Sequence, residues 1–139
     1  MNTHPETKKI FVATHGQCVS GFNPGMTEKG INQVANIGIW GIPRIIQPST
    51  VLVETGKRFL QTYEVLQPVL NKAPMKRSSF CGDSNPWEFL EKLPNNTLLC
   101  SGKEFLTALG LEDFFGEGVL IEISVMIRKA RHVMTQGDT

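Results

Sequence analysis

Hydrophobic positions in this chain fall into short runs separated by helical stripes. Lys8 to Ala13 is a brief apolar run that stops before His15-Gly16, as suits a strand buried on both faces of a parallel sheet. Thr27-Glu28-Lys29-Gly30 has the form of a helix start, with Thr27 as cap. The stripe Ile31, Val34, Ala35, Ile39 carries that helix to about Trp40, and Pro43 prevents continuation. Val51-Leu52-Val53 reads as a second strand. Helix follows from about Gly56 to Leu70 on Phe59, Tyr63, Leu66 and Leu70, with Pro68 bending or ending it near Gln67.

The second half continues in the same way. Lys76 to Phe80 is a candidate short strand, and Ser84-Asn85-Pro86 opens a helix that places Trp87, Leu90 and Leu93 on one side. Thr97 to Cys100 is an apolar strand, followed by Ser101-Gly102 and a helix from about Lys103 to Leu109. Val119, Ile121, Ile123, Val125 and Ile127 alternate strictly, which predicts a last strand with one core face. The expected order is β-α-β-α-β-α-β-α-β, a three-layer α/β/α sandwich around a mainly parallel sheet. In such sheets, sites form beyond the carboxyl ends of strands. His15, Arg58, Cys81-Gly82-Asp83 and Ser101 all follow predicted strands and are expected to converge there.

Length and composition narrow this further. A chain of 139 residues, 40% hydrophobic and 19% charged, suits one folded domain over 1–139, with 1–7 and 128–139 flexible. The apolar runs are shorter than a bilayer span, and the first residues lack a signal-peptide core. With a formal net charge of +1, neither nucleic acid nor membrane is an expected partner, and Arg128, Lys129 and Arg131 read as a solvated tail. Cys18, Cys81 and Cys100 form no CxxC pair and have no zinc-type spacing, so the expectation is a cytoplasmic protein with reduced thiols and no metal or cofactor.

Two motifs carry a family resemblance. Ala13-Thr14-His15-Gly16 and Met26-Thr27-Glu28-Lys29-Gly30 stand where the histidine phosphatase (phosphoglycerate mutase-like) superfamily has strand-R-H-G and L-T-x-x-G. Val51-Leu52-Val53-Glu54-Thr55-Gly56-Lys57-Arg58-Phe59-Leu60-Gln61-Thr62 aligns without a gap to its V-x-V-S-P-x-x-R-A-x-Q-T motif. The short middle region looks like the compact SixA-type phosphohistidine phosphatases, and the resemblance runs from about Lys9 to Ile127. It implies a phosphoglycerate mutase-like fold and His15 as the nucleophile, with Arg58 gripping the phosphoryl group beside Gly16. The family's first arginine falls on Thr14 and its late histidine on Ser101, so two of four pocket residues are replaced.

A phosphohistidine mechanism needs an unprotonated imidazole nitrogen and cationic donors around the phosphoryl oxygens. Threonine and serine each offer one neutral hydroxyl instead. Lys103, or Lys57, could supply a replacement charge. Asp83 is a weak candidate for general acid, and Glu54, in place of the motif serine, would repel phosphate. Read without the resemblance, His15 is a hydrogen-bonded strand-end histidine, Arg58 a salt-bridged helix residue, Asp83 a turn residue, and both lysines solvated surface. Three functions remain open. One is a degenerate pseudophosphatase or very weak phosphatase that binds a phosphorylated protein or small phosphorylated metabolite. Another is an active SixA-type phosphatase using His15. The third is an interaction protein whose pocket is filled.

Overall fold

Six strands form one sheet in the order β3-β2-β4-β1-β5-β6. The computed structural model of the chain describes residues 8–139, so the expectation for residues 1–7 lies outside the described residues. The strands are β1 (Lys9–Thr14), β2 (Thr50–Glu54), β3 (Met75–Ser78), β4 (Thr97–Ser101), β5 (Leu120–Ser124) and β6 (Lys129–Met134). Parallel ladders join β1 to β4, β4 to β2 and β2 to β3. The two antiparallel pairings are made by β5, with β1 and with β6.

The helices lie on both faces. Alternation along β1 sends Phe11 and Ala13 into a core with Val34, Ile37, Phe59 and Leu66. Those residues come from α1 (Glu28–Asn36), its π-helical extension Ile37–Gly41, and α2 (Lys57–Leu66). Ile10 and Val12 point to the other core, with Leu90, Phe105 and Leu106 of α3 (Pro86–Glu91) and α4 (Lys103–Ala108). Pro68 stands where expected, in a short 3-10 turn that replaces the last stretch of α2.

The first helix buries a different face from the expected stripe. Gly30, Val34 and Ile37 are buried, whereas Ile31 and Ile39 are 39% and 61% exposed. The cause is a close backbone approach. A Cβ at Gly16 would collide with the Gly30 carbonyl oxygen, and one at Gly30 would collide with that of Gln17. No side chain fits at either place, so the loop after β1 lies directly on the start of α1. Thr27 holds the junction: its hydroxyl accepts from Gly30 N–H at 3.0 Å, and its own N–H donates to Gln17 O at 2.9 Å.

The chain end also departs from expectation. The alternating run does not finish the fold, and residues 128–139 are not a frayed tail. After Leu120–Ser124 the chain turns through Val125–Arg128 and returns as edge strand β6. Val133 and Met134 of β6 are buried, while Arg131 makes a two-point contact with Glu122 at 3.0 and 3.2 Å. Arg128 lies over the Trp87 ring, 5.3 Å from its centre. The basic residues thus belong to a hairpin whose outer edge is charged, a usual way of protecting a sheet edge.

Candidate functional site

The parallel order β2-β4-β1 sets three strand ends side by side, with Thr14 opposite Ser101 in the β1–β4 ladder. Just beyond them is a cavity of about 360 Å³. His15, Arg58, Ser101 and Lys103 all line it, together with Glu54, Cys81 and Glu104.

His15 sits at the end of β1, held on both sides of its backbone. Gly118 N–H donates to His15 O at 2.9 Å, and the preceding Thr14 N–H donates to Val119 O at 3.0 Å. Its ring lies between Phe59 and Phe115, with centroid distances of 5.7 and 5.8 Å. Nδ1 is 2.8 Å from Gly16 O. A carbonyl only accepts, so Nδ1 carries the proton and Nε2 of the neutral ring keeps its lone pair. Burial lowers the His15 pKa from its ordinary value. The bond to Gly16 opposes this, the Arg58 charge lowers it further, and the Glu117 charge raises it. A neutral imidazole with a bare Nε2 is the form that nucleophilic attack on phosphorus requires.

Gly102 makes room for that ring. A Cβ there would meet His15 Cδ2 at 3.2 Å and Nε2 at 3.3 Å, with Phe59 Cε1 also at 3.2 Å. The glycine after β4 therefore lets the imidazole and Phe59 pack against backbone.

Arg58, in the first turn of α2, lies over Phe59 with its guanidinium carbon 4.3 Å from the ring centre. It makes no ion pair among the described residues. Ser101 is 1% exposed, and its Oγ is buried without a hydrogen-bond partner. A buried hydroxyl left unpaired is costly; the residue lines the cavity, while Oγ itself is covered. Lys103 is exposed at the cavity margin, and it too makes no ion pair among the described residues.

Of the other residues named from the sequence, Thr14, Gly16, Asp83 and Lys57 are not in the cavity wall. The Thr14 side chain is fully buried and turned the other way: Oγ1 donates to Gly116 O at 2.6 Å and accepts from Val119 N–H at 2.9 Å. It anchors the loop that carries Phe115. Gly16 N–H points at Met26 Sδ, 3.2 Å away, and the residue serves the close approach to Gly30. Asp83 accepts from Asn85 N–H at 2.9 Å and organises the turn before α3.

The cavity also contains Phe59, Gly102, Glu104, Thr55 and Ser79, which sequence reasoning did not place there, beside Glu54 and Cys81, which it did. Phe59, Gly102 and Glu104 adjoin motif positions already singled out, so adjacency was their only signal. Thr55 and Ser79 touch across the rim through hydroxyls 2.9 Å apart. Glu54 is 2% exposed, and its two oxygens accept from Thr55 N–H at 3.1 Å and Cys81 N–H at 2.7 Å. Burial and the charges of Glu54 and Glu104 push the Cys81 thiol up to about 11, which makes it a poor nucleophile. Burial pushes Cys100 up to about 12 and raises Cys18, whose Sγ is 3.6 Å from His15 Nδ1. All three cysteines are free. No group of three His, Cys, Asp or Glu among the described residues could hold a metal ion, and no described helix is long and apolar enough to cross a membrane.

No protein-family model matches this sequence, and no curated protein matches it. Solved structures do match in shape. The protein histidine phosphatase SixA, solved with tungstate, superposes with a TM-score of 0.70 at 14% identity, covering 89% of this chain and 93% of its own. A SixA protein from Agrobacterium tumefaciens gives 0.66 at 16% identity over 84% and 91%. A phosphoserine phosphatase from Entamoeba histolytica, solved with 3-phosphoglyceric acid, gives 0.66 at 10% identity over 91% and 95%. With the cavity at the ends of β1, β2 and β4, these matches make the fold of this chain that of the phosphoglycerate mutase-like histidine phosphatases, in the compact form of the SixA proteins.

Proposed function

We propose that the cavity is a degenerate histidine-phosphatase site that binds the phosphoryl group of a phosphorylated partner or metabolite and turns it over very slowly or not at all. The observation that carries this reading is the shared wall. A neutral His15 and an Arg58 without an ion-pair partner among the described residues meet in one cavity, which Ser101 also lines. Arg58 supplies the fork for two phosphoryl oxygens, and Ser101 Oγ–H, covered and unpaired among the described residues, is the candidate donor to a third. His15 Nε2 is the group available to attack phosphorus, forming a P–N bond as the ester P–O bond breaks.

The slow turnover follows from what is missing. Thr14 does not even lend its hydroxyl, since the 116–119 loop uses it. Ser101 gives one neutral donor. Losing one preorganised donor costs about 10²–10³ in rate. Two such losses weigh heavily against ordinary catalysis, although groups acting as a unit do not add simply. Glu54 and Glu104 add negative charge to the wall.

A second reading has one observation in its favour. Lys103 borders the cavity with no ion-pair partner among the described residues and could restore the missing charge, giving an active phosphatase. A filled, purely structural pocket is disfavoured by the open volume of about 360 Å³. The three free thiols fit the reducing cytoplasm. Assay of purified protein with p-nitrophenyl phosphate near neutral pH, beside His15→Ala, separates the readings. A kcat well below roughly 1 s⁻¹ is expected. A kcat in the ordinary range that His15→Ala abolishes would establish the active enzyme instead.

A further inference from the structure

Arg58 lines two hollows. The second, of about 410 Å³, adjoins the first: Thr55 and Arg58 belong to both walls, and Phe22, Asn23 and Gly56 complete it. Phe22 and Asn23 come from the loop between β1 and α1, which is tied down. Cys18 pairs with Met26 at its base, and Val19 N–H donates to Gly25 O at 3.0 Å. Asn23 Oδ1 accepts from Lys57 N–H at 2.9 Å and Gln61 Oε1 from Met26 N–H at 2.7 Å, so the loop is fastened to α2 beside Arg58. The Phe22 side chain is nevertheless fully exposed. A lone exposed apolar residue is ordinary on a protein surface. This one is an aromatic ring on a fastened loop, in a hollow that shares its arginine with the cavity of His15.

We infer that the site takes a nucleotide-like phosphomonoester, its phosphoryl group beside His15 and Arg58, its sugar passing Arg58 and Thr55, and its flat base stacked on Phe22. The wall of the second hollow selects this class. Among its lining residues Phe22 alone has an apolar side chain, so an aliphatic chain finds one contact and no enclosure. A flat ring needs only one aromatic face to stack on. Asn23 spends its carbonyl oxygen on Lys57 N–H, which leaves its amide N–H groups without a partner among the described residues, ready for ring nitrogens or sugar hydroxyls. A ring bonded directly to the phosphate oxygen stays in the first cavity, with Phe59 and Phe105, and reaching Phe22 takes a spacer such as a pentose. The inference rests on the phosphoryl-binding reading above and adds the ligand class.

Phosphonate analogues, with P–C in place of the ester P–O bond, test it without hydrolysis. Those of adenosine 5′-monophosphate, ribose 5-phosphate and phenyl phosphate are titrated by calorimetry at pH 7, beside inorganic phosphate, into the whole chain and into Phe22→Ala. That variant removes a fully exposed ring and leaves the fold intact. In the parent the adenosine analogue is expected to bind about tenfold tighter than the ribose analogue, the usual worth of one stacked base. In Phe22→Ala the ratio should fall to about twofold or less, with phosphate and ribose analogue unchanged. Equal affinity of the adenosine and ribose analogues in the parent, or a preference that survives Phe22→Ala, overturns the stacked base while phosphate still binds. A phenyl analogue that loses as much as the adenosine analogue in Phe22→Ala overturns the need for a spacer, and with it the nucleotide class. Failure of phosphate and all three analogues to bind overturns the phosphoryl-binding reading itself.

Discussion

Replacing Thr14 by valine separates two roles for the residue before His15. Valine keeps the shape and removes the hydroxyl. That hydroxyl accepts from Val119 N–H at 2.9 Å and donates to Gly116 O at 2.6 Å. Val119 is 5% exposed, so its N–H is left buried without a partner, a loss of about 1–3 kcal/mol. Gly116 is only half-buried, so water can replace the second bond and about 0.5 kcal/mol is lost there. Together these give about 1.5–3.5 kcal/mol, or roughly 5–12 °C in melting temperature for a domain of this size. Urea and thermal melts followed by circular dichroism measure it. Phosphate affinity of the folded variant is expected to stay within about threefold of the parent, because the hydroxyl does not face the cavity. Unchanged stability with lost phosphate affinity would refute this reasoning and make Thr14 a phosphate ligand.

Three further outcomes are expected. Gly102→Ala puts a methyl 3.2–3.3 Å from the His15 and Phe59 rings, so it should weaken phosphate binding by calorimetry and cost about 1–2 kcal/mol in urea melts. The folded-state pKa of His15 lies below its unfolded value of about 6.5. The native state therefore binds the proton less well, and this contribution to stability is complete above the unfolded pKa and lost as pH falls below it. Urea melts between pH 5 and 8 should show a smaller acid loss in His15→Gln than in the parent. Truncation after Arg128 removes the buried Val133 and Met134, and should cost about 3–5 kcal/mol by melting.

Much of the fold was legible because strands buried on both faces and capped amphipathic helices leave direct traces in sequence. Phe11–Ala13, Val51–Val53 and Leu98–Cys100 are such strands, and their order implied a common edge for His15, Arg58 and Ser101. The alternation at Val119, Ile121, Ile123 and Val125 revealed one core face, whereas Ile127 is exposed in the turn before β6; it hid the other face, where Leu120 is buried as well, packed in the core with Val34 and Ile37. β6 itself, Lys-Ala-Arg-His-Val-Met, reads as polar because edge strands carry charge outward. The fate of Thr14 was not legible at all. Its partners lie more than a hundred residues away, and a motif shows which residue type is missing but not which loop captures its replacement. The stripe through Ile31 and Ile39 fails for a similar reason in α1, where the Gly16–Gly30 contact decides which face turns inward.

The central claim is that His15 and Arg58 form one anion site. The most direct measurement is the nuclear magnetic resonance of the His15 imidazole during titration with inorganic phosphate at pH 7. A saturable shift of the His15 ring signals is expected in the parent. In Arg58→Ala it should weaken by about tenfold or more, the usual worth of a charge-assisted contact. His15 signals that ignore phosphate, or that respond equally with and without Arg58, would contradict the claim.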